Sequence, residues 1–170
     1  MDELRDRLAR DVDSAFPDLV TSMQGPLYSG LRSLAGPEAE DLAQETFIRA
    51  YRALSSYEPH RIRELKLRGW IWTIALNLGR NHRRDRARRP LPVLDLPEPV
   101  VAETDPPDFA AWDRRLRNLP PGMRRAVILR HVAGLSYDEI AEATGQPSGS
   151  VKSDVHRGID KLRRVMENET

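Results

Sequence analysis

Residues 135–164, LSYDEIAEATGQPSGSVKSDVHRGIDKLRR, have the spacing of two helices joined by a sharp turn. Ser136 is placed to cap the first helix, and Glu139, three residues on, completes a capping box. Gly145 ends that helix, because the turn needs a residue that tolerates positive φ. Pro147 and Ser148 restart the chain, with Ser148 expected as the N-cap. Val151, Val155, Ile159 and Leu162 then share one face, at steps of 4, 4 and 3. Ala141, Gly145 and Val151 suit a helix-turn-helix. The first is small where the second helix crosses, the second makes the turn, and the third plugs the core. The face left over carries Ser150, Lys152, Ser153, His156 and Arg157, donors that suit phosphates and base edges in a major groove. An ordinary αα-hairpin with a solvated basic face has the same pattern, so the spacing alone leaves both open.

The flanking chain extends this helical unit towards the N-terminus. Trp112, Leu116 and Leu119 form a stripe, Pro120-Pro121 breaks it, and Val127, Ile128 and Val132 support the core of the helix-turn-helix. Residues 90–109 are different. Prolines recur at 90, 92, 97, 99, 106 and 107, and the charges are all acidic: Asp95, Glu98, Glu103, Asp105 and Asp108. A regular helix is not expected there, and the shift in composition marks a domain boundary.

A long helix is expected from about residue 68 to 88, with Trp70, Ile71, Ile74, Ala75 and Leu78 as its buried stripe. Its exit is basic, with Arg80, His82, Arg83, Arg84, Arg86, Arg88 and Arg89 against one Asp85. Asn77 and an off-stripe Trp72 accompany them. Arginine with asparagine and an aromatic is a mix that holds phosphates, reads bases and stacks on them. Before it, Pro59 sits in a turn, and residues 37–55 form a strongly amphipathic helix. Leu42, Phe47, Ala50, Tyr51 and Leu54 face inward, and acidic residues crowd the first half, which suits the helix dipole. Its polar face, Asp41, Gln44, Glu45 and Arg49, is either solvated or a docking surface. Residues 2–35 are expected as helix in two or three pieces, broken at Gly25-Pro26.

Composition narrows the class. The 170 residues are 39% hydrophobic and 6% aromatic, which argues against large cores, and 31% charged with a net charge of +1. With no cysteine there is no disulfide framework and no thiolate metal site. No apolar run approaches the ~20 residues of a membrane span, and MDELRDRLARDVD is too charged for a signal peptide. A soluble, cytoplasmic protein is expected. His60, His82, His131 and His156 lie far apart, and neither a phosphate loop nor a nucleophile elbow is present. No catalytic residue, metal or cofactor is expected.

Three segments together resemble the extracytoplasmic-function (group 4) sigma factors of bacterial RNA polymerase, small initiation factors that keep only the family's second and fourth domains. Residues 39–54, AEDLAQETFIRAYRAL, are close to the family's D-L-x-Q-E-x-F helix. Residues 68–84, RGWIWTIALNLGRNHRR, are similar to its W-x-x-x-I-A-x-N segment. Residues 119–163 resemble its fourth domain from end to end. The resemblance implies an all-α protein of two small helical domains, residues 1–89 and 110–170, joined by the Pro-rich acidic linker 90–109. It implies docking on the β′ clamp helices of core polymerase through Asp41, Gln44, Glu45 and Arg49, and contact with the β subunit. It implies −10 contacts from Trp72, Asn77, Arg80, Arg83 and Arg84, with the loop 56–66 receiving an unstacked base; Trp72 is either a stacker or a packed tryptophan. It implies −35 contacts from Ser148, Ser150, Lys152, Ser153, His156 and Arg157. Promoter DNA and an antisigma protein are the other implied partners, and no membrane contact is. Three positions depart from the pattern: Asp154 and Leu76 stand where the family commonly has arginine, and Ile159 lies near where it commonly has another basic residue. A carboxylate facing phosphates would cost affinity or accept from a cytosine amino group.

Two other functions remain to be weighed. A stand-alone helix-turn-helix regulator would be a dimer on a palindromic site, yet no heptad seam is evident. A metal-dependent nuclease would need clustered carboxylates, and Glu38, Glu40, Asp41 and Glu45 read better as helix-dipole complementation.

Overall fold

A computed structural model describes residues 1–88 and 109–169. Apart from Phe109, the linker assigned to 90–109 lies outside the described residues, as do Arg89 and Thr170. Nine helices make up the described residues: α1 (Asp2–Arg10), α2 (Val12–Ala35), α3 (Ala39–Ser56), α4 (Pro59–Glu64), α5 (Leu67–Arg88), α6 (Phe109–Arg117), α7 (Pro121–His131), α8 (Tyr137–Thr144) and α9 (Ser148–Asn168). A 3-10 turn, Gly36–Glu38, leads into α3. No strand occurs among the described residues. The chain is therefore all-α, in two helical units on either side of the linker.

Local chemistry sets most of the boundaries. The Asp11 carboxylate accepts from Ser14 N–H at 3.2 Å and caps α2. Pro59 and Pro121 open α4 and α7 in the first turn, where a missing N–H costs nothing. Tyr51 on α3 donates to the Asp13 carboxylate on α2 at 2.6 Å. That bond and the adjacent negative charge raise the tyrosine pKa above its usual value.

One expectation fails outright. Gly25-Pro26 does not break α2, which runs through both Pro17 and Pro26 for 24 residues. An interior proline costs about 3 kcal/mol. Against it stand Leu19, Met23, Leu27 and Leu31, each 3% exposed or less, at steps of four across the proline. Interrupting the helix would take the second half of that stripe off the core, and burying each such side chain returns roughly 1.5–3 kcal/mol.

The two units pack directly on one another. A single apolar cluster runs from Leu8 through Leu54, Ile71 and Trp72 to Ile140 and Val155. The principal junction sets the first half of α5 against α8. There the Arg68 guanidinium donates to the Ala133 carbonyl at 3.3 Å and also to the Gly134 carbonyl, just beyond the C-terminus of α7. The backbones approach closely: a Cβ on Gly69 would lie 3.3 Å from the Glu139 backbone. A second junction brings α2 to α7.

Candidate nucleic-acid interface

The helix-turn-helix forms as its local sequence dictates. Ser136 accepts from Glu139 N–H at 3.1 Å, and the Glu139 carboxylate accepts from Ser136 N–H at 2.8 Å, so both halves of the capping box are made. Gly145 adopts φ 72° in the left-handed region and its N–H donates to the Ala141 carbonyl at 2.9 Å. Val151, Val155 and Leu162 are buried on the inner edge of α9, and Ile159 is half-buried. Gly158 joins that edge, where a Cβ would come within 2.5 Å of Val127 on α7. Sequence reasoning passed over Gly158, although its position three residues after Val155 was a signal of close helix contact.

The outer face of α9 is open. Ser150, Lys152, Ser153, His156 and Arg157 are all exposed, and the last four line one shallow concavity. Ser148 stands apart from them. It is the first residue of α9 rather than its N-cap, which is Pro147, and its hydroxyl donates to Asp138 on α8 at 3.0 Å. Proline's fixed φ already directs the chain into the helix, so the serine is free to bridge the two helices. Asp154 does not face outward with the cations. Its half-buried carboxylate lies near Gly122 of α7 and accepts from Arg157 at 3.1 Å.

Helix α5 is divided along its length. Asn77, Arg80, Asn81, Arg83 and Arg84 are exposed. Arg80 donates to the Asn77 side-chain carbonyl at 2.9 Å, so the two act as one group. Trp72 is the correction: it is fully buried, its ring lies over Gly30 of α2, and Ile128 of α7 lies beside it. No ring face is left for a base. Its indole Nε1 is buried with no hydrogen-bond partner.

The aromatic surface lies elsewhere. A cleft of about 240 Å³ between α3 and α5 is lined by Tyr57, Trp70, Ile74, Asn77 and Asn81, with Arg49 at one edge. The Tyr57 and Trp70 rings are 6.1 Å apart at 56°, and the Arg61 guanidinium sits 3.7 Å over Tyr57. Sequence reasoning assigned Trp70 to the core and missed Asn81; Tyr57 and Arg61 fall within the segment 56–66 expected to receive the base, though neither was singled out and residues 59–64 form helix α4 rather than a loop. Asn81 lies four residues after Asn77, and that spacing was the available signal.

On α3, Asp41, Gln44 and Arg49 are exposed and Glu45 is partly so. Arg49 donates to the Glu45 carboxylate at 2.8 Å. Ile48, 45% exposed, interrupts this polar face. Gln44 also borders an apolar groove of about 650 Å³ between α2 and α3, lined by Val20, Tyr28, Ala43 and Phe47. A large apolar side chain on a charged face is the signal that the sequence offered and that was not used.

Charge gathers where the units meet. Burial first, then the neighbouring cations Arg80 and Arg83 of α5, lower the pKa of Arg125 on α7, and Asp154 opposes them. No helix among the described residues is long and apolar enough to cross a membrane.

Residues 19–89 match the family model described as sigma-70 region 2, and residues 109–162 match that of sigma-70, region 4. The chain is 38% identical over 162 residues to the ECF RNA polymerase sigma factor SigE of Mycolicibacterium smegmatis, covering 88% of this chain and 60% of that relative. It is 32% identical over 174 residues to the ECF RNA polymerase sigma factor SigW of Bacillus subtilis, covering 91% of this chain and 90% of that one. The solved structure of the sigma factor RpoE in complex with the anti-sigma factor NepR from Bartonella quintana superposes with a TM-score of 0.71 at 25% identity, over 89% of this chain and 96% of that one.

Proposed function

The chain belongs to the ECF sigma factors of bacterial RNA polymerase, and on that footing we propose how its surfaces divide the work. It binds core RNA polymerase, directs it to promoters and helps open the DNA in the cytoplasm. The polymerase supplies the chemistry, and this chain contributes no catalytic residue.

The outer half of α5 meets the −10 element. Asn77, Arg80, Arg83 and Arg84 hold the strand backbone, and the cleft lined by Tyr57 and Trp70 takes an unstacked base. Removing a base from the stack costs a few kcal/mol, and stacking on an aromatic wall returns roughly 1–3 kcal/mol. The observation that carries this assignment is an aromatic cleft sharing Asn77 with the basic end of the same helix. The stacking role first considered for Trp72 passes to Tyr57 and Trp70.

Helix α9 enters the major groove at the −35 element with Ser150, Lys152, Ser153, His156 and Arg157. Ser148 contributes by fixing the angle between α8 and α9. On α3, Asp41, Gln44 and the Glu45–Arg49 pair dock on the β′ clamp helices, with Ile48 as the apolar contact among them, while the second unit meets the β subunit. An antisigma protein competes for these surfaces. The domains run 1–89 and 110–170, and the linker keeps each DNA-binding unit at high effective concentration once the other has bound.

The test is run-off transcription with purified core polymerase on a pool of genomic promoter fragments, with and without this protein. Discrete transcripts that require the protein are expected. Absence of core binding, together with a shift of a palindromic duplex by a dimer, would replace this function with that of a stand-alone regulator.

A further inference from the structure

We infer that helix α1 is a positioning element for base capture: it holds α4, and through α4 the aromatic wall of the cleft beside α5. The inference rests on the proposed capture role of that cleft. Helix α1 lies ahead of the segment that matches the sigma-70 region 2 model, which begins at residue 19.

Helix α4 has six residues and no side-chain cap at its start. A helix that short does not persist in water without tertiary support. Its chief packing partner is α1. Leu8 of α1 is fully buried and Ile62 of α4 is 2% exposed, in the same apolar cluster. Polar contacts lock the two together at the far end. Arg5 donates to the carbonyl of Leu65, the C-cap of α4, at 3.4 Å, and Asp6 lies 4.0 Å from Arg63. Helix α1 is itself fixed to α2 by an Arg7–Asp18 pair at 2.6 Å.

Arg61 stacks on Tyr57, and Tyr57 packs against Trp70. A displacement of α4 therefore moves the guanidinium that holds one aromatic of the wall. No α1 residue lines the cleft, so α1 acts through α4. A misplacement of about 1 Å at a recognition surface can cost as much as a hundredfold, which makes a remote brace a determinant of base choice.

The test uses holoenzyme on a promoter with the −10 strand already opened by mismatches, each base of that strand varied in turn. Four chains are compared: unaltered, lacking residues 2–10, Arg5→Ala and Arg5→Lys. Core affinity should stay within about twofold, as expected for changes far from α3. The preference for the best base over the worst should fall about tenfold in the deletion and roughly threefold in Arg5→Ala, with Arg5→Lys retaining most of it. Preference intact in the unaltered chain and in both the deletion and Arg5→Ala overturns the inference alone. So does an equal fall of core affinity and preference in Arg5→Ala, which would mark α1 as general support. No preference at any position in the unaltered chain removes the capture role of the cleft, and this inference with it.

Discussion

Helices α5 and α9 are nearly equal in length, 22 and 21 residues, and are proposed to touch the two promoter elements, yet they are built on opposite plans. Helix α9 buries one edge and leaves a whole polar face open along its first half. Helix α5 is enclosed on several sides for its first half, by α8, α3 and the α2–α7 junction, and becomes open only from Asn77 onward. A helix that reads duplex DNA must lie in a groove and needs one clear face. A helix that receives a separated strand needs a rigid base, a cationic end and a side cleft. The difference in burial follows the difference in task.

Four measurements would break or sharpen this comparison. The largest effect is expected for Trp72→Ala. Removing a fully buried indole should cost about 3–5 kcal/mol in denaturant unfolding. Unchanged stability with weakened strand binding would return Trp72 to the DNA surface and undo the enclosed plan of α5. Next is Arg68→Ala, which removes charge-assisted bonds to two carbonyls of the other unit. The expected loss is roughly 1.5–3 kcal/mol of closing energy, seen as a longer distance between labels on the two units. The absence of cysteine allows two introduced thiols to be labelled without background.

Arg157→Ala probes the open plan. Stability should change by less than about 0.5 kcal/mol, while holoenzyme binding to a −35 duplex weakens and the slope of log affinity against log salt falls by about 1. A stability loss without a change in slope would mean that Arg157 serves only Asp154. The smallest contrast is between the two helix starts. Ser136→Ala breaks the capping box and should cost about 1 kcal/mol, and Ser148→Ala only about 0.5 kcal/mol, both by thermal unfolding. Equal costs would make Ser148 a cap after all.

The helix-turn-helix was legible because its signals are local. Ser136, Glu139 and Gly145 act within one turn of the residues they control, and no distant contact is needed to predict them. Trp72 was left open between base stacking and packing because the stripe rule assumes one buried face. Trp70 fits a single stripe and Trp72 does not, but α5 is packed from more than one direction, and the off-stripe residue became the largest of the fully buried side chains among the described residues. Pro26 was misread for a related reason: local propensity lost to a long apolar stripe whose partners lie on other helices. The aromatic cleft was hidden because Tyr57 and Trp70 meet only through tertiary structure. Asp154 appeared as a carboxylate aimed at DNA, and its contacts with α7 and Arg157 depend on which way one side chain turns.

At the junction, burial and the neighbouring cations Arg80 and Arg83 disfavour the charge on Arg125, and Asp154 opposes them. Like charges held together repel less as the screening length shrinks, from ~30 Å at 0.01 M to ~8 Å at 0.15 M. Added electrolyte therefore weakens the repulsion at this seam, as it weakens attraction to phosphates. A dilute medium works in the opposite direction on both at once. The seam between the units thus carries a repulsion that answers to the same variable as attraction to phosphates.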